Sequence, residues 1–274
     1  MKKTMPAGRQ EKLRVILLVY DNFYCNPIFL PLLESDFIDI VLVVVSDVIF
    51  YRKNKIESLL FFYRKHGLRY FLFKTIDQII YVISKILNIF LGRKRLFLRE
   101  ARKRRLRIIK MKDVNSEESL GIFGSYSPDI IISYFNQVLK RRVLDIPRIT
   151  CLNVHPGYLP LYKGVASSFW AMLKGEKFGG VTVHDMVEKL DSGDIYARGK
   201  VVTSKKMSLH RHNWECCKLG GELLLETLEN LWEGKIKKDK NIGGNYYSWP
   251  GAKDVDQFHS LGFKLIKRED LEIY

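Results

Sequence analysis

Two apolar runs near the start of the chain restrict its fold more than any other feature. Leu13 to Tyr20 reads LRVILLVY, and Ile38 to Ser46 reads IDIVLVVVS. Continuous apolar runs of this length are typical of strands that are covered on both faces, as in a parallel sheet. Between them, Asp21 to Glu34 predicts a loop that leads into a helix, with Pro27 near its start. This β-α-β order predicts an α/β protein with a Rossmann-like, doubly wound sheet.

The loop after the first run argues against a dinucleotide site. It reads DNFYCNP and contains no glycine. A glycine-rich turn is what lets backbone amides close on a phosphate at the start of the following helix. The sequence therefore disfavours binding of NAD.

The positive charge of the chain is concentrated in one segment. Residues 51–110 hold 18 Lys and Arg against 3 Asp and Glu, a net +15 of the +16 of the whole chain. Within this segment, Leu68 to Leu91 is long and apolar, but four polar residues interrupt it: Lys74, Asp77, Gln78 and Lys85. Such residues disfavour a membrane span. We expect an amphipathic helix that lies on the domain or on a membrane surface.

The basic run GRKRLFLREARKRRLRIIK follows that helix, and three interpretations of it remain open. It could be a solvated helix face, a surface for anionic lipid, or a phosphate site for a tRNA backbone or a nucleotide diphosphate. The apolar helix before it favours an anionic membrane surface, which residues 68–110 would contact. No nucleic-acid motif accompanies the charge.

Two polar clusters indicate where the chemistry lies. Asn153-Val154-His155-Pro156-Gly157 ends a short apolar segment, and Asp191-Ser192-Gly193-Asp194 follows the strand-like GGVTVHDMV. In an α/β sheet, ligands bind at the carboxyl ends of the strands. A strand end with Asn and His, joined by an Asp from a later loop, is therefore a candidate catalytic group.

The sequence between about Pro128 and Val202 resembles the formyltetrahydrofolate-dependent formyltransferases. The family carries Asn-x-His, then Leu-Pro and Gly, then Asp-x-Gly some three dozen residues later. This chain has these motifs in the same order: Asn153-Val154-His155, Leu159-Pro160, Lys163-Gly164 and Asp191-Ser192-Gly193. The resemblance implies that Asn153, His155 and Asp191 are the catalytic residues and that 10-formyltetrahydrofolate is the co-substrate.

The chemistry of formyl transfer explains these residue types. The reaction passes through a tetrahedral oxyanion, which the amide of Asn153 can stabilise. His155 can share that task or move a proton from the attacking amine. Asp191 would orient the imidazole ring and an ordered water and stabilise the imidazolium.

The resemblance also implies contacts to the two substrates. The loop after the predicted strand Ile130 to Tyr134 would bind the pteridine ring of the folate. The expected folate contacts are Phe135, Gln137, Leu139, His184 and Gly193, and the expected acceptor contacts are Tyr158, Lys163 and Gly164. The four cysteines lack the spacing of a metal site, so we expect no zinc, no other metal and no structural disulfide.

We expect three parts in this chain of 274 residues. Residues 1–12 form a flexible basic tail, residues 13–235 the catalytic domain with the insertion 51–110, and residues 236–274 a short C-terminal extension. The tail lacks the apolar stretch of a signal peptide, which predicts a cytoplasmic protein. The sequence leaves open whether the protein attaches to the inner face of the membrane and whether it forms a homodimer.

The acceptor is the least constrained part of the interpretation. Tyr246 to Pro250 resembles the tails of sugar-modifying family members, and 236–274 is too short for the terminal barrel of methionyl-tRNA formyltransferases. We therefore expect an amino sugar on a nucleotide as acceptor, as in surface-polysaccharide assembly. Methionyl-tRNA is the alternative, and a catalytically silent folate-binding or membrane-associated homologue is a third. The glycine-free first loop disfavours the glycinamide ribonucleotide branch.

Overall fold

A seven-stranded sheet forms the centre of the computed structural model, which describes residues 11–46, 55–91 and 95–274. The spatial order of its strands is β3-β2-β1-β4-β5-β7-β8. Strands β1 to β5 are parallel, whereas β7 and β8 run antiparallel to their neighbours. The strands are β1 (Leu13–Val19), β2 (Ile38–Ser46), β3 (Ile108–Met111), β4 (Ile130–Tyr134), β5 (Thr150–His155), β7 (Phe178–Asp185) and β8 (Ile195–Val202).

Helices cover both faces of this sheet, so the predicted α/β, doubly wound, Rossmann-like fold is confirmed. On β1, Val15 and Leu17 pack into one buried cluster, while Ile16 and Leu18 pack into another. The α-helices are α1 (Cys25–Phe29), α2 (Lys55–Leu91), α3 (Phe97–Lys103), α4 (Glu117–Ser125), α5 (Arg141–Leu144), α6 (Ser167–Leu173), α7 (Leu209–Trp232) and α8 (Ala252–Ser260). The first cluster includes residues of α1, α3 and α7, and the second includes residues of α4 and α5.

The direction of the chain through the sheet reverses beside β1. From β1 the chain moves outward through β2 to β3, and it then returns to place β4 and β5 on the other side of β1. Crevices form at the carboxyl ends of strands at such a reversal, and ligands bind there. The polar residues predicted for the site lie at the carboxyl ends of β4 and β5.

The predicted insertion, residues 51–110, includes residues near its C-terminal end that belong to the sheet and the core. Its last residues belong to the sheet, because β3 pairs with β2 in parallel. Residues of α3 belong to the core: Phe97 and Ala101 are fully buried, and the Phe97 N–H donates to the side-chain oxygen of Asn26 at 2.9 Å. Part of the basic run is also paired, since Arg95 and Arg104 both bind Glu34. Within the described part of 51–110, α2 is therefore the element that is additional to the sheet and its core helices.

Helix α2 differs from the amphipathic helix that we expected. It begins at Lys55 and contains a break at Gly67, where φ is 77° and ψ is 166°. A Cβ at Gly67 would lie 2.8 Å from the Cβ of Ala252, so α8 approaches α2 at this point. One side of α2 packs on the protein through Tyr70, Phe73 and Tyr81. The opposite side is exposed and is also apolar, which contradicts an amphipathic pattern. Among the described helices, none combines the length and apolarity needed to cross a bilayer.

The C-terminal residues pack against this helix and against the site. A short strand β6 (Tyr162–Gly164) pairs in parallel with β9 (Asn245–Tyr247). Val255 and Phe258 of α8 share a buried cluster with Phe73 of α2. The predicted extension at 236–274 therefore contributes both to the packing of α2 and to the strand beside the site.

Candidate active site

Strand β5 presents Asn153 and His155 on the same side, because side chains two residues apart share one face of a strand. His155 is 4% exposed. Its Nε2 lies 2.8 Å from the carbonyl oxygen of Tyr162, which can only accept, so Nε2 is the protonated nitrogen. Nδ1 then faces the carboxylate of Asp191 at 3.7 Å. Burial lowers the pKa of His155 more strongly than the Asp191 charge raises it, which favours a neutral ring.

Asp191 lies between two imidazole rings. Its Oδ2 accepts a hydrogen bond from the Gly164 N–H at 2.7 Å and its Oδ1 lies 3.6 Å from Nε2 of His184. Burial alone would raise the pKa of Asp191. Electrostatic attraction to His155, together with the contacts of His184 and the Gly164 N–H, outweighs burial and lowers the pKa to about 2. Asp191 is thus ionised throughout the neutral range.

His184 belongs to the same network and is opposite Asn153 in the β5–β7 pairing. Its Nδ1 donates to the carbonyl oxygen of Asp185 at 2.7 Å. In a neutral ring, Nε2 therefore accepts from the amide Nδ2 of Asn153 at 3.2 Å. The sequence predicted His184 as a folate contact, and the structure also places it against Asn153 and Asp191. Four predicted residues thus lie together: Asn153, His155, His184 and Asp191.

The loop that carries Asp191 is held in place by a residue that sequence reasoning missed. Asn241 donates from Nδ2 to the carbonyl oxygens of Asp191 at 2.9 Å and Gly193 at 3.0 Å. A Cβ on Gly193 would lie 2.0 Å from the carbonyl oxygen of Asp185, so only glycine fits there. Gly193, predicted as a folate contact, therefore has a packing reason to be glycine. No motif in the sequence marks Asn241.

The turn after His155 is equally restricted. A Cβ on Gly157 would lie 2.4 Å from Nε2 of His155. The hydroxyl of Thr182 on β7 donates to the Gly157 carbonyl oxygen at 2.7 Å and accepts from the Leu159 N–H at 3.0 Å. These contacts position the imidazole by fixing the backbone around it.

An open cleft lies beside this network. Asn153, His184 and Asp191 contribute polar atoms to its lining. The loop after β4 contributes the three predicted folate contacts Phe135, Gln137 and Leu139, and the remaining lining residues are Ser133, Val138, Met186, Val187 and Leu190. Polar groups thus meet a largely apolar wall, which suits an aromatic heterocycle with a polar edge.

Gln137 holds its own loop at the cleft. Its Oε1 accepts from the Val114 N–H at 3.2 Å, and the side chain is 9% exposed. Sequence reasoning missed Met186, Val187 and Leu190, which follow β7 and line the same cleft. The sequence shows that these residues are apolar, but it does not show that the loop after β7 lies close to the end of β4.

The residues predicted for the acceptor have different surroundings. Gly164 has a φ of 95°, and a Cβ there would lie 2.1 Å from the carbonyl oxygen of Tyr247. Lys163 is 8% exposed, and burial followed by the charge of Lys189 lowers its pKa. Tyr158 packs away from this group, with its ring 5.4 Å from that of Phe178. A contact between Tyr158 and the acceptor stays a prediction.

Tyr246 is an additional residue at the acceptor side. A Cβ on Gly164 would lie 3.0 Å from its ring, so the ring lies against the Gly164 backbone. The residue is 61% exposed, and burial followed by the charge of Asp191 raises its pKa. Tyr247, in contrast, stacks on Tyr162 with ring centroids 5.3 Å apart. The β6–β9 pairing therefore brings an accessible aromatic ring close to Asp191.

No group of three or more His, Cys, Asp or Glu in the described ranges could hold a metal ion. The four cysteines are free thiols and all are buried. Burial raises the pKa of Cys217 to about 12, so this thiol is protonated at neutral pH.

Comparison with known proteins identifies a family and several relatives. Residues 94–228 match the family described as formyl transferase. A methionyl-tRNA formyltransferase from Clostridium botulinum is 38% identical over 140 residues, which cover 51% of this chain and 45% of that protein. A methionyl-tRNA formyltransferase from Thermotoga maritima is 30% identical over 172 residues, which cover 62% and 50%. The chain spans about half the length of these curated relatives.

Solved structures share the fold at lower identity. A sugar N-formyltransferase from Shewanella sp. FDAARGOS_354 is 17% identical with a TM-score of 0.53, covering 91% of this chain and 79% of that one. Glycinamide ribonucleotide transformylase 1 from Symbiobacterium toebii is 15% identical with a TM-score of 0.58, covering 86% and 92%. The match to the formyl transferase family covers residues 94–228, just under half of the chain, and it includes the motifs of β5 and of the Asp191 loop.

Proposed function

We propose that this chain transfers a formyl group from 10-formyltetrahydrofolate to a primary amine. The observation that carries the proposal is a polar network of which three members, Asn153, His184 and Asp191, line the cleft. His155 lies behind them, against Asp191. The amide, imidazole and carboxylate groups of this network lie 3.2 to 3.7 Å from one another, and acyl transfer to an amine requires groups of these types side by side. The formyl transferases among the relatives support the same chemistry.

The roles of the residues follow from their contacts. The amine nitrogen forms a bond to the formyl carbon, and the bond from that carbon to N10 of the folate then breaks. Asn153 uses one N–H toward His184, and the second N–H of the same amide would stabilise the oxyanion. The Nδ1 atom of His155 would accept the proton that the amine loses. Asp191 would stabilise the resulting imidazolium, which would then return this proton to N10 as the folate leaves.

The cleft is the proposed site of the folate. Phe135 and Leu139 would cover the faces of the pteridine ring, and Gln137 would fix the loop that carries them. His184 and Gly193 would act mainly through the network and the loop backbone. The formyl group would then lie at the polar end of the cleft, next to Asn153 and Asp191.

Methionyl-tRNA is the acceptor that the sequence relatives favour, because the proteins at 30% identity or more carry that name. The basic segment 51–110 suits a polyanion as well. The amino sugar on a nucleotide, as in polysaccharide biosynthesis, is the second candidate. Its support is Tyr246, an exposed ring against Gly164 and near Asp191, which could stack on a sugar or a base. Lys163 would border either acceptor.

A substrate panel tests the proposal and separates the two acceptors. Purified chain is incubated with 10-formyltetrahydrofolate and either charged initiator tRNA or a set of amino-sugar nucleotides, and release of tetrahydrofolate is followed. Turnover with tRNA alone would select the first acceptor, and turnover with sugar nucleotides alone the second. Folate binding without turnover on any amine would favour the catalytically silent homologue.

The first prediction concerns Asn153. Loss of one oxyanion donor typically lowers the rate by about 10²–10³. We therefore expect Asn153→Ala to lower single-turnover formyl transfer by that factor while the thermal midpoint changes little, since the residue is only partly buried. Asn136→Ala, in the loop after β4, is the matched control and should retain most of the rate. A near-normal rate in Asn153→Ala would contradict the assigned role.

A cytoplasmic location and a homodimer both stay predictions. Size-exclusion chromatography with light scattering would determine the oligomeric state.

A further inference from the structure

The solvent-facing side of α2 is a continuous apolar surface. Thirteen of the 23 large hydrophobic residues that are exposed in the described chain lie on this one helix. After the break at Gly67, the exposed ones recur every three or four residues along one side. They are Leu68, Leu72, Ile76, Ile79, Ile83 and Ile86, each between 42% and 56% exposed. We call this set the outer face of α2.

The outer face is fixed in position, because the opposite side of α2 is anchored. Tyr81 donates its hydroxyl to Asp21 at 2.9 Å, and Ser84 donates to the carbonyl oxygen of Tyr274 at 2.9 Å. Tyr274 in turn donates to Asp77, which is 8% exposed. The helix cannot rotate to bury its outer face without breaking these buried hydrogen bonds.

The size of the outer face exceeds what a monomer ordinarily leaves in water. Residues 68–87 make 20 residues of helix, which span about 30 Å at 1.5 Å per residue. An exposed helix side with this many apolar residues is unusual, because the solvent-facing side of a surface helix is ordinarily polar. Contiguous apolar patches of this length mark surfaces that contact a partner or a lipid.

A second copy of the chain, a nucleic acid or a lipid bilayer could cover the outer face, and the charge of α2 distinguishes among them. Helix α2 itself holds six Lys and Arg against two acidic residues. Arg64 and Lys65 are exposed on it, and Arg69 is exposed while it pairs with Asp256 at 2.7 Å. A symmetric dimer would bring two such segments together and their like charges would repel. A nucleic acid would match the charge but not the apolar residues, since protein–nucleic acid interfaces are polar. An anionic bilayer matches both, because its acyl chains take the apolar side chains and its headgroups take the cations.

We propose that the outer face of α2 lies on an anionic lipid bilayer, with the helix axis parallel to the membrane plane and the sheet on the water side. The protein packed on the inner side of α2 replaces the polar face of an ordinary interfacial helix. Lys74 and Lys85 point toward this protein side: Lys74 Nζ lies 5.9 Å from the ring of Trp249, and Lys85 pairs with Asp21 at 2.8 Å. They therefore do not interrupt the lipid-facing surface, although they interrupt the linear sequence.

Co-sedimentation of the full chain with vesicles tests this inference. Phosphatidylcholine vesicles with and without phosphatidylglycerol are compared across a salt series. We expect binding to the anionic vesicles that weakens as salt rises, and much weaker binding to the neutral ones. No binding to anionic vesicles at low salt, or equal binding to both kinds, would overturn the proposal.

Substitutions in the outer face give the second measurement. Ile76→Gln, Ile79→Gln and Ile83→Gln combined should lower vesicle binding by at least about tenfold, because each removes an apolar side chain that lipid would cover. The matched control is Ile236→Gln with Ile242→Gln, which are 58% and 78% exposed after α7. This control should bind as the unmodified chain does.

Light scattering in the absence of vesicles distinguishes the main competitor. A dimer that the triple variant dissociates, together with unchanged vesicle binding, would show that a second copy covers the outer face. If the triple variant does not fold, the salt series on the unmodified chain still shows whether the protein binds anionic vesicles. Turnover on the acceptor in solution should be equal in all three proteins, which separates failure of this proposal from failure of the proposed chemistry.

Discussion

Asp191 combines an unusual backbone with a strongly favoured charge. Its φ of 47° lies in the left-handed region, which side chains other than glycine seldom adopt and which Asp tolerates better than most. The Asn241 bonds hold this conformation, and the carboxylate faces His155 and His184. Strain at one residue, held by its surroundings, is common where a side chain must point at a reacting group.

Removing the negative charge of Asp191 should lower the rate of formyl transfer without unfolding the protein. Asn can still accept the hydrogen bond from Gly164, but it cannot stabilise an imidazolium at His155. We expect Asp191→Asn to lower the single-turnover rate by about 10²–10⁴ with the folate and acceptor affinities nearly unchanged. The double variant with His155→Asn should lose little more than His155→Asn alone, because the two act as one unit.

Asp194→Asn is the matched control for this substitution. Asp194 belongs to the same loop, but its carboxylate pairs with Lys240 at 2.8 Å and not with the histidines. Its rate should stay close to that of the unmodified chain. Equal losses in Asp191→Asn and Asp194→Asn would mean that the loop is disturbed in general and would contradict the assigned role.

At the scale of elements, the short β6–β9 pairing connects the C-terminal residues to the site. Gly164 donates to Asp191, and the same residue is opposite Tyr247 in the pairing. Tyr246 is thereby placed over Gly164, and Trp249 reaches α2, where its ring lies 5.9 Å from that of Phe62. One strand of three residues therefore links the acceptor side to the helix that carries the outer face.

A methyl group at Gly164 should break this link. The Cβ would overlap the carbonyl oxygen of Tyr247, and the φ of 95° would be strained. We expect Gly164→Ala to raise the acceptor KM at least about tenfold while folate affinity, measured by fluorescence titration, changes little. Gly175→Ala is the control, because its φ of 73° is equally unfavourable but no atom lies within 4 Å. A similar KM in both variants would show that Tyr246 does not contact the acceptor.

The sequence predicted the parts of the site that lie on strands, and it failed where distant loops meet. Strand β2 was predicted with its observed bounds, Ile38–Ser46, because a buried parallel strand is a continuous apolar run. The contact of His184 with Asn153 depends on the antiparallel register of β7, which no local pattern reveals. Asn241 acts from a loop about 50 residues away from Asp191. The sequence predicted a membrane-facing helix here, but not that both sides of α2 are apolar, because an exposed helix is expected to be polar on one side.

At the scale of the molecule, the buried residue His212 connects helix α7 to the sheet. His212 of α7 is 0% exposed and donates from Nε2 to the carbonyl oxygen of Val201 on β8 at 3.3 Å. A Cβ on Gly179 of β7 would lie 2.5 Å from its ring, so the helix is packed directly on the sheet edge. Burial lowers the pKa of His212 to about 4, with the Val201 hydrogen bond opposing this in part.

This pKa predicts loss of stability in weak acid. An unfolded histidine has a pKa near about 6.5, so the unfolded chain binds a proton at His212 that the folded chain does not. Stability is therefore full above about pH 6.5 and falls as the pH drops toward about 4, by up to about 3 kcal/mol for this residue. The pKa values of Asp77 and Asp191 are lowered, so the stability they add is lost mainly below this window.

Urea unfolding of the unmodified chain and of His212→Gln at pH 7.5 and pH 5 measures this contribution. The glutamine can still donate to Val201 but cannot take up a proton. We expect the free energy of unfolding to fall less between the two pH values in His212→Gln than in the unmodified chain, by roughly 2 kcal/mol. His155 also has a lowered pKa and contributes in the same direction, so both proteins should still lose some stability. If the two proteins lose the same amount, His212 does not limit the fold in acid, and the packing of α7 on β7 and β8 admits a charged ring.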